Sequence, residues 1–308
     1  MPAIGSSPIS LPVSTRSSTS ERALSRRLAL VGLIRVVHPF PSTLDAVAAA
    51  VVALVAGAST GVALRLGLGM LALQFAIGSA NDFADSSVDS VAKPGKPIPA
   101  GLLSRGAAAT VCVAAAVTGL ATAASVGIGP LAIGAVGLAD GLVYDLRLKS
   151  TPIAWMPFAA GVGLLPLYAW WGALGSVPPA FVGVIALSVA AGAVLALANA
   201  YADIEEDRRS GIRSVAVVLG GRRTLVADAV LLGTVEVVAV ATIVGTAGLA
   251  PLAATATLGC ALSWFGLGLA AVRTNRGRHL VWEVQAVGLA ILGVSWLAVL
   301  NSVGLLRT

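Results

Sequence analysis

The strongest constraint on this chain is a recurrence. Apolar runs of spanning length repeat from about residue 40 to the end, at 40–57, 61–81, 103–123, 126–143, 152–172, 178–200, 224–245, 249–271 and 281–302. Each is close to the ~20 residues that a helix needs to cross a bilayer. With no water in the hydrocarbon, every backbone N–H and C=O of such a run must be satisfied within the segment, which selects helices. Composition agrees: only 11% of residues are charged and 57% are hydrophobic, with a mean hydropathy of +0.93. Soluble domains carry about 25% charged residues. A soluble enzyme, a disordered chain and a disulfide scaffold are thereby excluded. The expected fold is all-α, a polytopic membrane protein of nine transmembrane helices.

Charge gives the topology. The connections near 58–60, 124–127, 175–178 and 245–248 hold no Lys or Arg, whereas the alternate ones hold nearly all of them. Eighteen of the 20 basic residues fall on one side, leaving Arg65 and Arg307. By the positive-inside rule that side is cytosolic. The N-terminus is then cytosolic and, after nine spans, the C-terminus is outside. The net charge of +6 thus reads as topology, not as a nucleic-acid surface. Residues 1–27 are rich in Ser, Thr, Pro and Arg and are expected to form a disordered cytosolic tail, with the nine-helix domain over 28–308. Cys112 and Cys260 read as small apolar residues, and His38 and His279 lack metal-ligand spacing. The bias to Arg, Ala, Val and Gly suggests a bacterial inner membrane.

Acids are scarce, yet seven of the 14 form two clusters at the cytosolic ends of the second and sixth runs. Asn81-Asp82-Phe83-Ala84-Asp85 leads to Asp89. Asn199-Ala200-Tyr201-Ala202-Asp203 leads to Asp207. Both read Ala-Asn-x-aromatic-Ala-Asp-x-x-x-Asp, offset by 203 − 85 = 118 residues. Positions i, i+4 and i+8 share a helix face, so Asn81, Asp85 and Asp89 make one polar stripe and Asn199, Asp203 and Asp207 another, with Asp82 beside the first. Stacked carboxylates repel unless a cation lies among them. Mg2+ is well suited to that place, since it binds one or two carboxylates together with water and substrate phosphates. Each cluster precedes a basic loop, one with Lys93 and Lys96 and the other with Arg208, Arg209 and Arg213; a third group, Tyr144 to Lys149, contains Arg147. All three lysines of the protein lie in these loops. Carboxylates and cations together suit a diphosphate held through Mg2+.

At these residues the chain resembles the UbiA superfamily of intramembrane prenyltransferases. Asn81, Asp82, Asp85 and Asp89 match its NDxxDxxxD motif. Asp203 and Asp207 match its DxxxDxxxD motif, with Asn199 standing at the first position. Lys93-Pro94 and Lys96-Pro97-Ile98-Pro99 resemble its basic, Pro-rich loop, and Tyr144 to Lys149 its Tyr/Lys motif. The likeness runs from about residue 30 to the end. It implies nine helices around a central cavity open to lipid, in which an isoprenyl group passes from an allylic prenyl diphosphate to a hydrophobic acceptor, aromatic or a quinone precursor. Asp82, Asp85, Asp89, Asp203 and Asp207 would hold Mg2+. Asn81, Lys93, Lys96, Tyr144, Arg147, Lys149, Asn199 and Arg213 would bind the diphosphate. Family members that cyclise the prenyl diphosphate, or that prenylate lipid, haem or sugar-phosphate acceptors, are alternatives, as is an ion-coupled transporter. Acceptor and chain length are left open by the sequence. Arg35 and His38 read as interface anchors or diphosphate contacts, and Asp140 and Asp145 as supports of the third basic group. Asp45 and Glu236 are acids inside apolar runs, which makes them functional candidates. Trp170, Trp171 and Trp282 read as interface aromatics.

Overall fold

A computed structural model describes residues 19–245, 250–272 and 274–306. These residues form helices with no strand among them. A helix α1 spans Thr19–Val36, so residues 19–27 are helical where an irregular tail is expected; residues 1–18 lie outside the described part. Nine long helices follow at the nine apolar runs: α2 (Pro39–Ala56), α3 (Thr60–Ala92), α4 (Arg105–Ala124), α5 (Ile128–Val143), α6 (Trp155–Leu174), α7 (Phe181–Ala202), then, after the short α8 (Ile204–Arg209) and α9 (Val215–Leu219), α10 (Gly221–Val244), α11 (Ala250–Gly268) and α12 (Asn275–Ser302).

Eight of these are long and apolar enough to cross a membrane unaided. The exception, α5, has 16 residues and runs directly into a five-residue π-helical turn over Tyr144–Leu148. The 16 + 5 = 21 continuous residues reach about 30 Å, the thickness of the hydrocarbon core. The protein is therefore a multi-pass helical membrane protein.

The length of α3 positions the chemistry. It starts at Ser59, whose side chain caps the helix by accepting the N–H of Val62, and it continues unbroken for 33 residues. Asp85 lies 25 residues beyond Thr60, hence about 38 Å along the axis, past the ~30 Å core. The first acidic motif is thus carried out of the apolar region on a rigid rod. It does not lie at the midplane, where transporter sites are usually found.

Neighbouring helices pack as hairpins, chiefly α3 on α4, α6 on α7 and α11 on α12; α12 also returns to α2 and α7 and closes the bundle. Hydrophobicity offers little net attraction between helices in lipid, so contact must come from close approach of backbones. Gly259 on α11 shows this: a Cβ there would sit 2.8 Å from the carbonyl oxygen of Gly288 on α12. Gly259→Val should force the pair apart, at a cost of about 1–3 kcal/mol, measured as a lowered thermal unfolding midpoint in detergent. The outer surface carries large apolar side chains such as Val113, Val117, Val182 and Val237, the composition that lipid requires.

Candidate active site

The bundle encloses a cavity of about 740 Å³ that runs from the ends of α2, α3 and α5 into the membrane. Its deeper wall is apolar, with Val52, Met70, Leu73, Leu165 and Leu289. At its mouth stand Asn81, Asp82, Lys93, Lys96, Tyr144, Lys149, Asn199 and Asp203.

The lysines join the two motifs. Asp82, only 2% exposed, accepts from Lys96 Nζ at 3.0 Å and pairs with His38 Nε2 at 3.1 Å, both through Oδ1. The same Lys96 ammonium reaches Asp89 Oδ2 at 2.8 Å. Lys149 is paired with Asp85. Lys93, which follows the first motif, crosses to Asp203 of the second at 3.3 Å and to Glu206 at 3.7 Å. These carboxylates hold the Lys93 and Lys96 ammonium groups above the usual lysine range, against the opposing effect of burial, which is the larger single influence. Residues 110 positions apart in sequence thus converge because the helices that carry them end at the same face.

Two expected features differ. The second motif does not lie on one regular helix. Helix α7 ends at Ala202, Asp203 has φ −92° and ψ 0°, and α8 resumes at Ile204. Asn199 and Asp203 line the main cavity, while Asp207 faces a small side pocket with Ser214 and Tyr144. Burial pushes the Asp207 carboxyl up, and the nearby Lys93 charge draws it partly back. Secondly, Arg147 and Arg213 are exposed and stand outside the cavity wall. The π turn is the reason for Arg147. Its i+5 hydrogen bond runs from the N–H of Lys149 to the carbonyl of Tyr144 at 2.8 Å. Such widening stacks Lys149 over Tyr144 and turns Arg147 away; single π turns recur at functional sites. Arg213 lies in the open stretch between α8 and α9.

Other residues find their places. His38, the one non-glycine residue with positive φ (49°) among those described, is turned onto Asp82. Arg35 lines the cavity and donates to the carbonyl of Gly95 at 2.8 Å. Asp45 faces the cavity and accepts from Gln74 Nε2 at 2.7 Å. Asp140 is also in the wall. Glu236 is not: it is buried between helices and accepts from Trp264 Nε1 at 2.6 Å. Trp170 is fully buried against Phe181, and Trp282 packs edge-on to Phe40 in the cavity wall, so neither is a belt aromatic. Sequence reasoning missed the buried pair of Asp228 with Gln285, which has no motif to mark it. It also understated Asp145, whose side chain is 8% exposed and accepts from Asn81 Nδ2 at 2.8 Å.

No three acidic, His or Cys side chains among the described residues close a metal shell by themselves. The donor set nevertheless fits a hard cation that is completed by substrate oxygens. Asp82 Oδ2 and Asp145 Oδ2 are buried without a hydrogen-bond partner. Around the mouth, Asp82, Asp85, Asp89, Asp145, Asp203, Glu206 and Asp207 face Lys93, Lys96 and Lys149. Seven acids against three lysines and the Arg35 guanidinium leave an excess of negative charge that is costly to leave unneutralised at a membrane edge.

Comparison with known proteins agrees with this geometry. The digeranylgeranylglyceryl phosphate synthase of Methanoregula boonei is 32% identical over 202 residues, covering 63% of this chain and 70% of that protein. The same-named protein of Halobacterium salinarum is 32% identical over 206 residues, 65% and 73% of the two chains. These relatives are archaeal and lend no support to a bacterial membrane. The fold is that of a UbiA homologue from Archaeoglobus fulgidus bound to GPP and Mg2+, with TM-score 0.67 at 17% identity over 87% of this chain and 99% of the other. A UbiA homologue from Aeropyrum pernix, without ligand, gives 0.65 at 20% identity over 81% and 96%. Residues 44–281 match the UbiA prenyltransferase family, and that stretch includes both acidic motifs and all three lysines. The chain belongs to the UbiA prenyltransferase family.

Proposed function

We propose that the protein transfers an isoprenyl group, with Mg2+, from an allylic diphosphate to the hydroxyl of a glyceryl phosphate lipid. The observation that carries the reaction type is the meeting of two acidic motifs across three lysines at the mouth of an apolar cavity. The name of the archaeal relatives supports the acceptor: their product bears two prenyl groups on glyceryl phosphate. The excess of negative charge calls for divalent cations, and Asp82, Asp85, Asp89, Asp203 and Asp207, with Asn81 and Asn199, would hold them.

Bound Mg2+ supplies charge neutralisation of the departing diphosphate. The rest is done by the chain. Lys93, Lys96 and Lys149 offer ammonium donors to the diphosphate oxygens. The C1–O bond breaks, diphosphate leaves with the electron pair, and the allylic cation is held where Leu165, Leu289 and their neighbours exclude water. The acceptor oxygen forms the new bond to C1 and its proton is lost to a carboxylate or phosphate oxygen at the mouth. The basic loops support a cytosolic position for this mouth, with the N-terminus on that side and the C-terminus outside.

An aromatic acceptor is the second reading. Phe40 with Trp282, and Tyr144 with Phe158, form edge-to-face pairs in the wall, where a ring could stack. Full-length protein in lipid nanodiscs, given geranyl diphosphate and Mg2+, should prenylate a glyceryl phosphate carrying one prenyl ether in preference to a hydroxybenzoate. The reverse preference would favour the second reading.

Asp45 and Gln74 bear on the acceptor too. Gln74 lies eight residues before Asp82 along α3, about 12 Å deeper, and meets Asp45 of α2 there, where a hydrocarbon tail offers no hydrogen bond. Asp45→Leu should raise the acceptor KM about tenfold, the worth of one hydrogen bond, and leave acceptor-independent diphosphate release unchanged. Equal loss in both rates would show a general effect on the bundle.

A further inference from the structure

Asp145 belongs to neither acidic motif, yet it lies in the site, four residues beyond Gly141 on the cavity face of α5. Gly134, Leu138, Gly141 and Asp145 recur in the cavity wall at helical spacing, and the widened turn that starts at Tyr144 keeps Lys149 in that wall as well. Asp145 Oδ1 accepts from Asn81 Nδ2 at 2.8 Å, and its Oδ2 is buried without a partner. That contact decides what Asn81 can do. A carboxamide has a donor end and an acceptor end of nearly the same shape, and it flips between them with little steric change. Only its carbonyl oxygen can meet a cation. An ionised carboxylate accepts and never donates, so a carboxamide facing Asp145 must turn its NH2 to it and leave the carbonyl oxygen for another partner. The opposite flip would press two oxygens together.

We propose that Asp145 is a positioning residue that locks the Asn81 carboxamide with its carbonyl oxygen free to take a divalent cation. The proposal rests on the reading of Asn81 as part of the cation–diphosphate site. The end of α5 then does two things: its π turn aims Lys149 at Asp85, and its cavity face supplies the partner that orients the first residue of the first motif. Partners of this kind, one step removed from the ion, typically alter metal affinity by about 10–100-fold when lost.

The test uses Mn2+ as a paramagnetic substitute for Mg2+, titrated into full-length protein in nanodiscs with the free ion followed by electron paramagnetic resonance. Asp145→Ala and Asp145→Leu should weaken Mn2+ binding about 10–100-fold. Asp145→Asn should stay near wild type, because its own carbonyl oxygen can still accept the Asn81 NH2. Asn81→Ala should lose as much as Asp145→Ala, and the double variant should lose no more, since the two act as one unit. Unfolding midpoints without cation establish that the variants are folded. Wild-type affinity in Asp145→Ala and Asp145→Leu overturns the proposal. So does an Asp145→Asn loss equal to that of Asp145→Ala, which would mean that Asp145 acts through its charge or as a direct ligand. Wild-type affinity in Asn81→Ala overturns the reading of Asn81 and the proposal together; a loss there with none at Asp145 overturns the proposal alone.

Discussion

Asp85→Asn and Asp203→Asn, made singly, should each lower Mg2+-dependent turnover about 100-fold or more while the protein still folds. The two residues come from opposite motifs, and each already has a lysine partner: Lys149 for Asp85 and Lys93 for Asp203. An amide keeps the shape and one acceptor oxygen but removes the charge that draws in a cation. Loss of one preorganised electrostatic contact to a developing charge costs about 3–4 kcal/mol, and each ~1.4 kcal/mol is tenfold in rate. Part of the defect should return at high Mg2+, so the assay compares rates from limiting to saturating cation. Wild-type rates in both variants would remove the two-motif mechanism. A loss in one alone would mean that only that motif takes part.

Lys96→Met should have the largest effect on stability. Lys96 is the only described cation bridging two buried carboxylates, Asp82 and Asp89, which are 2% and 5% exposed. Removing it leaves Asp82 with His38 alone and Asp89 with no cationic partner among the described residues. Breaking a buried pair in this way costs about 3–5 kcal/mol, mostly because a buried charge is left uncompensated. The unfolding midpoint in cation-free buffer should fall accordingly. Millimolar Mg2+ should restore much of it, because a ligand that binds only the folded state stabilises that state by mass action. A drop that Mg2+ does not reverse would separate the lysine's structural role from the cation site.

Much of this was legible in the sequence because a bilayer imposes a simple grammar. Nine apolar runs became nine long helices, with bounds displaced by a few residues except where α3 runs on from 81 to Ala92 and α12 starts at Asn275 instead of 281. That the two acidic motifs end at one face was legible too, since acids are costly near a membrane and here occur at matched spacing. What could not be read was how the backbone departs from ideal helices. The off-helix Asp203 sends Asp207 to a side pocket, and a single π turn places Lys149 rather than Arg147 at the cavity wall. Neither departure has a Gly or Pro to announce it. Likewise the helix over residues 19–27 is built from a stretch whose Ser and Arg content suggests irregular chain. Tertiary pairing separated Glu236, held by Trp264 between helices, from Asp45, which opens to the cavity; position in an apolar run treats the two alike. The acceptor, finally, depends on the shape of a cavity wall that several helices share.

The most direct measurement is mass spectrometry of the products formed by full-length protein in nanodiscs, given geranyl diphosphate, Mg2+ and a glyceryl phosphate with one free hydroxyl. The expected product is the acceptor carrying one added geranyl group, formed with one diphosphate released per transfer and abolished by a chelator. A geranyl-derived hydrocarbon formed without acceptor, or transfer that persists when Mg2+ is removed, would contradict the account.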